Sequence, residues 1–502
     1  MIQPSLLFLA FSTSIALGYN KSLITPQNSG QRPTVTSEAL TTTIHGKNLV
    51  KHAEELLSFA TRNGAGNRVF GTRSHNETVD YIKKQLDATG YYDTQLQTYS
   101  ELYLEGTANL TVNGLAYDAE WMTYSPAGHI VGPLVSVNDL GCKQNDYPTN
   151  MTDKIALISR GACPFSLKVA LAGKSGAAAA IIYNNETEVL QGGISQDALP
   201  EGPAVPACGI SAESGQKLLA DINARKTFNG ALNITVINEK RYTSNVLATT
   251  KTGDQTNVVM VGGHTDSVNA GPGINDNASG SIAVLEIALQ LARFEVKHAI
   301  RFGFWTAEEN GLLGSIHYLS SLSADEGNNI ALYLNADMLA SPNFGYFIYD
   351  GDSSVFNVTG PAGSDRIERV LEDYYKSSGI KTAPTSLGGG SDHLSFMGFG
   401  IPVGGVFSGT DENKTQEEFT WWGGVAGAPY DACYHKACDN IQNLNVGAWV
   451  NNTKAMAHAV STFAMSLDGV PRRVETKSDT VRRMLDGDSG SYWRNASRIV
   501  MY

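Results

Sequence analysis

Five cysteines in 502 residues cannot staple a chain of this length, so the fold has to rest on a buried core and not on a disulfide framework. Charge is scarce as well: Asp, Glu, Lys and Arg make up 17% of the chain, against roughly a quarter in ordinary domains. That scarcity, with 42% hydrophobic residues, excludes a disordered chain and a coiled coil. The charge that is present leans acidic, 49 Asp and Glu against 37 Lys and Arg, for a net −12. A chain with no basic surplus is not built to bind nucleic acid. No stretch approaches the apolar length of a helical membrane span. The carboxyl end, SGSYWRNASRIVMY, has no apolar tail of the lipid-anchor kind. No internal repeat is found.

What the sequence does contain begins with an address. Residues 1–18 read as a secretory signal, with the apolar run SLLFLAFSTSIAL and small residues at Ala16 and Gly18 for cleavage. Its first residues lack the usual Lys or Arg. Asn-x-Ser/Thr acceptors support export. They stand at Asn20, Asn76, Asn109, Asn150, Asn185, Asn233, Asn277, Asn357, Asn413, Asn451 and Asn495. The expected location is therefore extracellular, with the vacuole as the alternative. Residues 19–45 are polar and rich in Thr, Ser, Gln and Pro, and read as a propeptide or flexible segment.

From residue 46 the apolar spacing becomes helical, with Leu49, His52, Leu56 and Phe59, and then Val79, Ile82 and Leu86 in a helix over 77–89. Two strands, 91–100 and 102–112, close this first part of a main domain, residues 46–118. Residues 119–240 are Gly- and Ala-rich, with short strands at 154–159, 177–183 and 204–210. The stretches KIALISRGACPFSLKVALAGKSGAAAAIIYNN and GPAVPACGIS resemble a protease-associated domain, an insert that flanks or covers a site and carries no chemistry. From 241 to 470 strands and helices alternate. Apolar strands TNVVMVG, AIRFGFW and IALYLNA and a strand at 401–407 interleave with helices at 279–294, 365–378 and 446–467. This order predicts an α/β fold, a mostly parallel central sheet covered by helices on both faces. Residues 471–502 read as a solvated tail.

Chemistry-bearing residues collect where these strands end, the edge at which open α/β sheets bind ligands. His264 and Asp266 follow TNVVMVG, Glu308 and Glu309 follow AIRFGFW, Asp337 follows IALYLNA, and Asp276 lies in the loop GPGINDNASG. No Lys or Arg accompanies them in these motifs, so a cation is the natural neutraliser. Imidazole with carboxylates and no thiolate suits Zn²⁺. A second imidazole, His435, sits in DACYHKACD between Cys433 and Cys438. In an exported chain that pair reads as a small disulfide loop, with zinc thiolates as the alternative. Cys142 with Cys163 is the expected second pair, leaving Cys208 free. Asp350-Gly351-Asp352 reads as a turn, and His129, His298, His317 and His458 as histidines without a ligand role.

The motifs GGHTDSVNAGPGINDNASGS, RFGFWTAEENGLLGS, LYLNADM, SPNFGYFIYDGD and DACYHKACD, together with NRVFGTRSH upstream, resemble the co-catalytic zinc aminopeptidases. The resemblance is to their secreted and vacuolar branch, aminopeptidase Y and the fungal-type leucine aminopeptidases. It implies two zinc ions. Asp276 would bridge them, Glu309 and His435 would complete one site, and His264 and Asp337 the other. Asp266 would orient His264, and Glu308 would be the general base. The implied partner is a peptide with a free N-terminus, cleaved by a monomeric enzyme that favours apolar residues such as leucine. Two positions depart from many relatives: Gly390 replaces an Arg and His393 a Tyr. His393 is then the candidate to contact substrate as an oxyanion donor. A glycan on Asn277 would block the cleft, so that acceptor is expected to be bare. A receptor that has lost its ligands, or a carboxypeptidase with Arg residues for a substrate carboxylate, fits these motifs less well.

Overall fold

A computed structural model describes residues 32–224 and 228–472. The expected signal, residues 19–31, Asn20, Asn495 and the tail from 473 lie outside the described residues.

The central strands are apolar on both faces, and they lie side by side for that reason. Val403–Phe407, Ile330–Ala336, Asp254–His264 and His298–Trp305 run parallel in that order. Asn229–Thr250 joins one flank antiparallel, and Phe347–Tyr349 the other. Alternate side chains face opposite layers. Val259, Val261, Phe302, Phe304, Leu332 and Leu334 meet the helices Gly46–Arg62, Arg73–Thr89, Gly280–Leu291 and Val446–Met465. Val258, Met260, Trp305 and Tyr333 meet Leu313–Ser321 and His393–Gly398. The mostly parallel, doubly covered sheet anticipated from the sequence is the one observed.

Two readings are corrected. The strands expected at 91–100 and 102–112 are one strand, Tyr92–Val112, paired with Asn229–Thr250 from Tyr92↔Thr250 to Val112↔Gly230. The alternation breaks at Glu101, but the antiparallel ladder continues through it, with Glu101 in register with Arg241. This ribbon carries the chain from the main sheet into the insert, whose strands Gly128–Ser136, Ile155–Ser159, Ala179–Tyr183 and Ala207–Ile210 form a parallel set. Cys142 and Cys163 are disulfide-bonded there, and Cys208 is free and buried.

The second correction concerns residues 32–45, expected to be flexible. They are docked. Val35 N donates to Glu295 O at 3.0 Å, and Glu295 N to Pro33 O at 2.9 Å. Thr36 caps a short helix, Ser37–Thr41, and Ser37 Oγ lies 2.6 Å from His458 Nδ1. Val35, Leu40 and Ile44 are buried in the main core. Three apolar residues in a Thr- and Ser-rich stretch are enough to fix it, because each contributes about 1.5–3 kcal/mol on burial. Leu40→Ala should therefore destabilise the protein by about 2–5 kcal/mol, read as a fall in melting temperature. An unchanged melting temperature would show that this segment does not belong to the folded unit.

Candidate metal centre

Five side chains, from the ends of three strands and one disulfide loop, converge. His264 ends its strand, and its Nε2 lies 3.3 Å from Asp276 Oδ1 and 3.5 Å from Asp337 Oδ1. His435 Nε2 lies 3.1 Å from Asp276 Oδ2 and 3.2 Å from Glu309 Oε2. Asp276 thus turns one oxygen to each imidazole. Glu308 Oε2 is 3.8 Å from His264 Nε2, on the Asp337 side. Asp266 Oδ1 lies 3.6 Å from His264 Nδ1 and accepts the backbone N–H of Glu308 at 3.1 Å. The sequence-expected ligands and their neighbours are all brought together. His435 is held in its loop by the Cys433–Cys438 disulfide, so those sulfurs are not thiolate ligands. Ala307, Met338 and His435 carry left-handed backbone, φ 55°, 47° and 54°. Such non-glycine conformations cost about 1–3 kcal/mol each and persist only where the surroundings impose them.

The electrostatics describe a site short of positive charge. Burial pushes Glu308 well above the usual carboxyl range, against the pull of His264. Burial and the neighbouring Asp276 carry Glu309 up to about 7. Asp276 is buried too, but hydrogen bonds from His264 and His435 hold it below its ordinary value. Burial disfavours charge on His435, yet Asp276 and Glu309 raise it to about 11. His264 is likewise raised, burial being outweighed by Asp337 and Glu308. Glu309 Oε1 and Asp337 Oδ1 are buried with no hydrogen-bond partner among the described residues. Such orphans are costly unless something fills the space between them. His264, Asp276 and Glu309 place ligand atoms within 4.8 Å of one another, and so do His264, Glu308 and Asp337. Two imidazoles and three carboxylates, two of them with an unpaired oxygen, fit Zn²⁺.

Several supports were not visible in the motifs. An arginine does accompany the cluster. Arg68, from the NRVFGTRSH segment, is fully buried; it donates to Thr265 O, to Pro272 O at 2.9 Å and to Gly273 O at 2.6 Å. Desolvation lowers it to about 10. It ties the loop after His264 to the loop before Asp276. Its distance in sequence concealed this, and its donors are spent on backbone carbonyls. Asp439 accepts the N–H groups of Asn275 and Asp276 at 2.8 and 3.0 Å. Asp431 accepts from Asn275 Nδ2 at 2.6 Å and Cys433 N at 2.8 Å. The acids flanking the His435 motif therefore lock its loop to the Asp276 loop. Asn277 is wholly buried, donating to Ala336 O at 2.9 Å and accepting from Gly280 N at 2.8 Å.

His393 is not placed as the sequence reading had it. Its ring is buried against Tyr349, with centroids 4.5 Å apart, and its Nε2 lies 3.1 Å from Leu387 O. Burial lowers it to about 4, so it stays a neutral core residue. The group at the cluster is Tyr434, whose ring stacks on His435 at 3.9 Å. Burial and then the carboxylates of Asp276, Glu309, Glu308 and Asp337 raise its phenol. It lay inside the quoted motif and was passed over because only the imidazole beside it is a metal donor. Asp350 accepts from Ser354, Val355 and Phe356 N–H groups, as a turn residue does. His317 stacks on Tyr99 and His458 meets Ser37. Asn76, Asn109, Asn150, Asn185, Asn357 and Asn413 are exposed, whereas Asn233 and Asn451 are half-buried.

Residues 245–460 match the model of peptidase family M28, and 130–218 that of the PA domain. The chain is 47% identical over 473 residues to a probable leucine aminopeptidase 2 of Aspergillus fumigatus, covering 94% of this chain and 93% of that one. It is 44% identical to leucine aminopeptidase 2 of Trichophyton rubrum, with 89% of each chain covered. Among solved structures, an aminopeptidase from Aneurinibacillus sp. strain AM-1 superposes with a TM-score of 0.66 at 26% identity, covering 88% of this chain and 98% of that one. A zinc aminopeptidase from Bacillus subtilis shares the fold, with a TM-score of 0.58 at 22% identity over 87% and 97% of the two chains.

Metal uptake should release protons. Without metal, His435 holds its proton until about pH 11, and a ligand imidazole must lose it. Apparent zinc affinity should then rise steadily from pH 6 to pH 8 in competition with a chromogenic chelator. A flat profile would contradict this electrostatic picture.

Proposed function

The chain belongs to peptidase family M28 and is a zinc-dependent aminopeptidase, and on that premise we propose that it is an exported enzyme holding two zinc ions, with Glu308 as general base. The observation that carries the two-ion reading is Asp276, whose oxygens face different imidazoles at 3.3 and 3.1 Å. A carboxylate so placed would be shared, with Glu309 and His435 holding one ion and His264 and Asp337 the other. Zinc supplies Lewis-acid polarisation and a lowered water pKa.

The chain's own residues do the rest. Glu308 sits beside the His264 and Asp337 half, and its backbone is held by Asp266. It takes the proton of the attacking water and returns it to the leaving amine. Tyr434, kept protonated, donates to the oxygen of the scissile carbonyl. The substrate's free N-terminal amine would sit against a zinc and the nearby carboxylates, which limits cleavage to the first residue. Arg68 does not offer a substrate carboxylate a partner, since it is committed to carbonyls. That argues against a carboxypeptidase.

Apolar N-terminal residues such as leucine are the proposed preference, following the names of the relatives. Export is supported by two disulfides and exposed glycan acceptors, with Asn277 bare because it is buried. No helix among the described residues is long and apolar enough to cross a membrane. A monomer remains the proposed state.

Adjacent and chemically alike, Glu308 and Glu309 separate the roles. Glu308→Gln should keep both metals and lose turnover by roughly 10²–10⁴-fold. Glu309→Gln should lose or weaken one zinc, and excess zinc should partly restore its activity. Equal metal loss in both variants, or zinc rescue of Glu308→Gln, would refute the division of labour.

A further inference from the structure

Resting on the reading that Glu308 and the metal cluster mark the scissile bond, we propose that the substrate chain beyond that bond binds as an added strand on the free edge of Asn229–Thr250, at Val236, Asn238 and Lys240.

The edge follows from the alternation of hydrogen bonds along an antiparallel strand. At both ends the odd positions turn to the Tyr92–Val112 side: Asn113 N donates to Asn229 O at 3.0 Å, and Lys251 N to Tyr91 O at 3.2 Å. The register between these ends is unbroken. The even positions therefore turn the other way, and on that side Leu134 N donates to Phe228 O at 2.9 Å. Two strands occupy this second edge. His298–Trp305 covers Val246 to Thr249, and Gly128–Ser136 covers Asn229 to Ile234. Between them no strand pairs with it among the described residues. Gly71 crowds one end, where a Cβ would come within 3.1 Å of Tyr242 O. Val236, Asn238 and Lys240 remain, each turning an N–H and a C=O into the gap. Asn238 and Lys240 are exposed and Val236 is half-buried. An unpaired edge of this kind is a template for an extended chain.

The gap opens beside the chemistry. His298–Trp305 ends at it, and Glu308 follows three residues later. Thr306 N donates to Asn245 Oδ1 at 3.1 Å. Ala307, next to Glu308, packs with Phe70 and Tyr103, and Tyr103 is in register with Glu239. Asn269, from the segment between His264 and Asp276, donates at 2.7 Å to Glu105, which is in register with Ile237. The free edge thus runs outward from the rim of the metal cluster.

Direction is fixed as well. Both occupants of the edge run antiparallel to Asn229–Thr250; one ends at the gap and the other begins beyond it. A peptide with its first residue at the metals and its chain running toward Gly128 takes the same direction. The strand from Asn245 to Lys240 is about 17 Å long, at about 3.4 Å per residue, so the substrate meets the edge several residues past the scissile bond. What is read there is peptide backbone, which makes the contact sensitive to length and tolerant of sequence.

The test is kcat and KM of the full-length enzyme on leucine-led peptides of increasing length, from dipeptides to roughly decapeptides. KM should fall by about 10-fold or more past about five residues, as two or three net backbone hydrogen bonds give, while kcat changes little. N-methylation of alternate residues in the distal part should remove that gain in one register and spare it when shifted by one residue. Asn238→Pro removes one edge N–H and leaves the ladder to Tyr92–Val112, so it should raise KM for the long peptides several-fold; the N-methyl series decides if that variant does not fold. A KM independent of length, equal losses in both registers, or a dimer that Asn238→Pro breaks, which would assign the edge to a second copy, would overturn the proposal. Full activity of Glu308→Gln would instead overturn the reading beneath it.

Discussion

Buried negative charge is what the architecture around the site is arranged to hold. Asp266, Asp276, Glu308 and Asp337 are each 8% exposed or less, and Glu309 is beside them. At an effective dielectric near 20, two such charges 4 Å apart repel by about 4 kcal/mol. Nothing in the sheet itself offsets that. The protein relieves it partly with His264, His435 and Arg68, and leaves oxygens of Glu309 and Asp337 unpaired for a cation. Left without metal, the same groups retain protons: the carboxylates raise the histidines, and burial and Asp276 carry Glu309 to about 7.

Rigid elements behind the site keep such a cluster from springing apart. Parallel strands deliver His264, Glu308, Glu309 and Asp337 from one edge. The Asp276 and His435 loops, less constrained by the sheet, are pinned to each other through Asp431 and Asp439. The disulfide closes the smaller loop. Arg68 reaches both ends of the segment between His264 and Asp276. The ribbon that carries the insert also touches this region: Asn269, between Asp266 and Asp276, donates to Glu105 of that ribbon at 2.7 Å. The insert is thus anchored beside the chemistry and not strung from a loose linker.

Much of this was legible from local signals. The expected helix at 446–467 is observed as Val446–Met465, and 365–378 as Ser364–Ser377, because their apolar spacing is regular. The helix expected from 77 begins at Arg73, since its polar first turn has no periodicity and only the cap by Thr72 reveals it. Residues 32–45 looked flexible because three buried side chains are few among polar ones. The ligand types were readable, as their spacing after strands is local. What was not readable depends on distance through the chain. Arg68 meets its carbonyls about two hundred positions away, and His393 turns from the site because its ring finds Tyr349 and Leu387.

The central claim is that Asp276 is shared between two zinc ions. Anomalous diffraction at the zinc edge from crystals of the zinc-loaded enzyme addresses it directly. The account predicts two peaks, one bounded by Asp276, Glu309 and His435 and the other by Asp276, His264 and Asp337. A single peak at full activity, or two peaks of which only one touches Asp276, would contradict it.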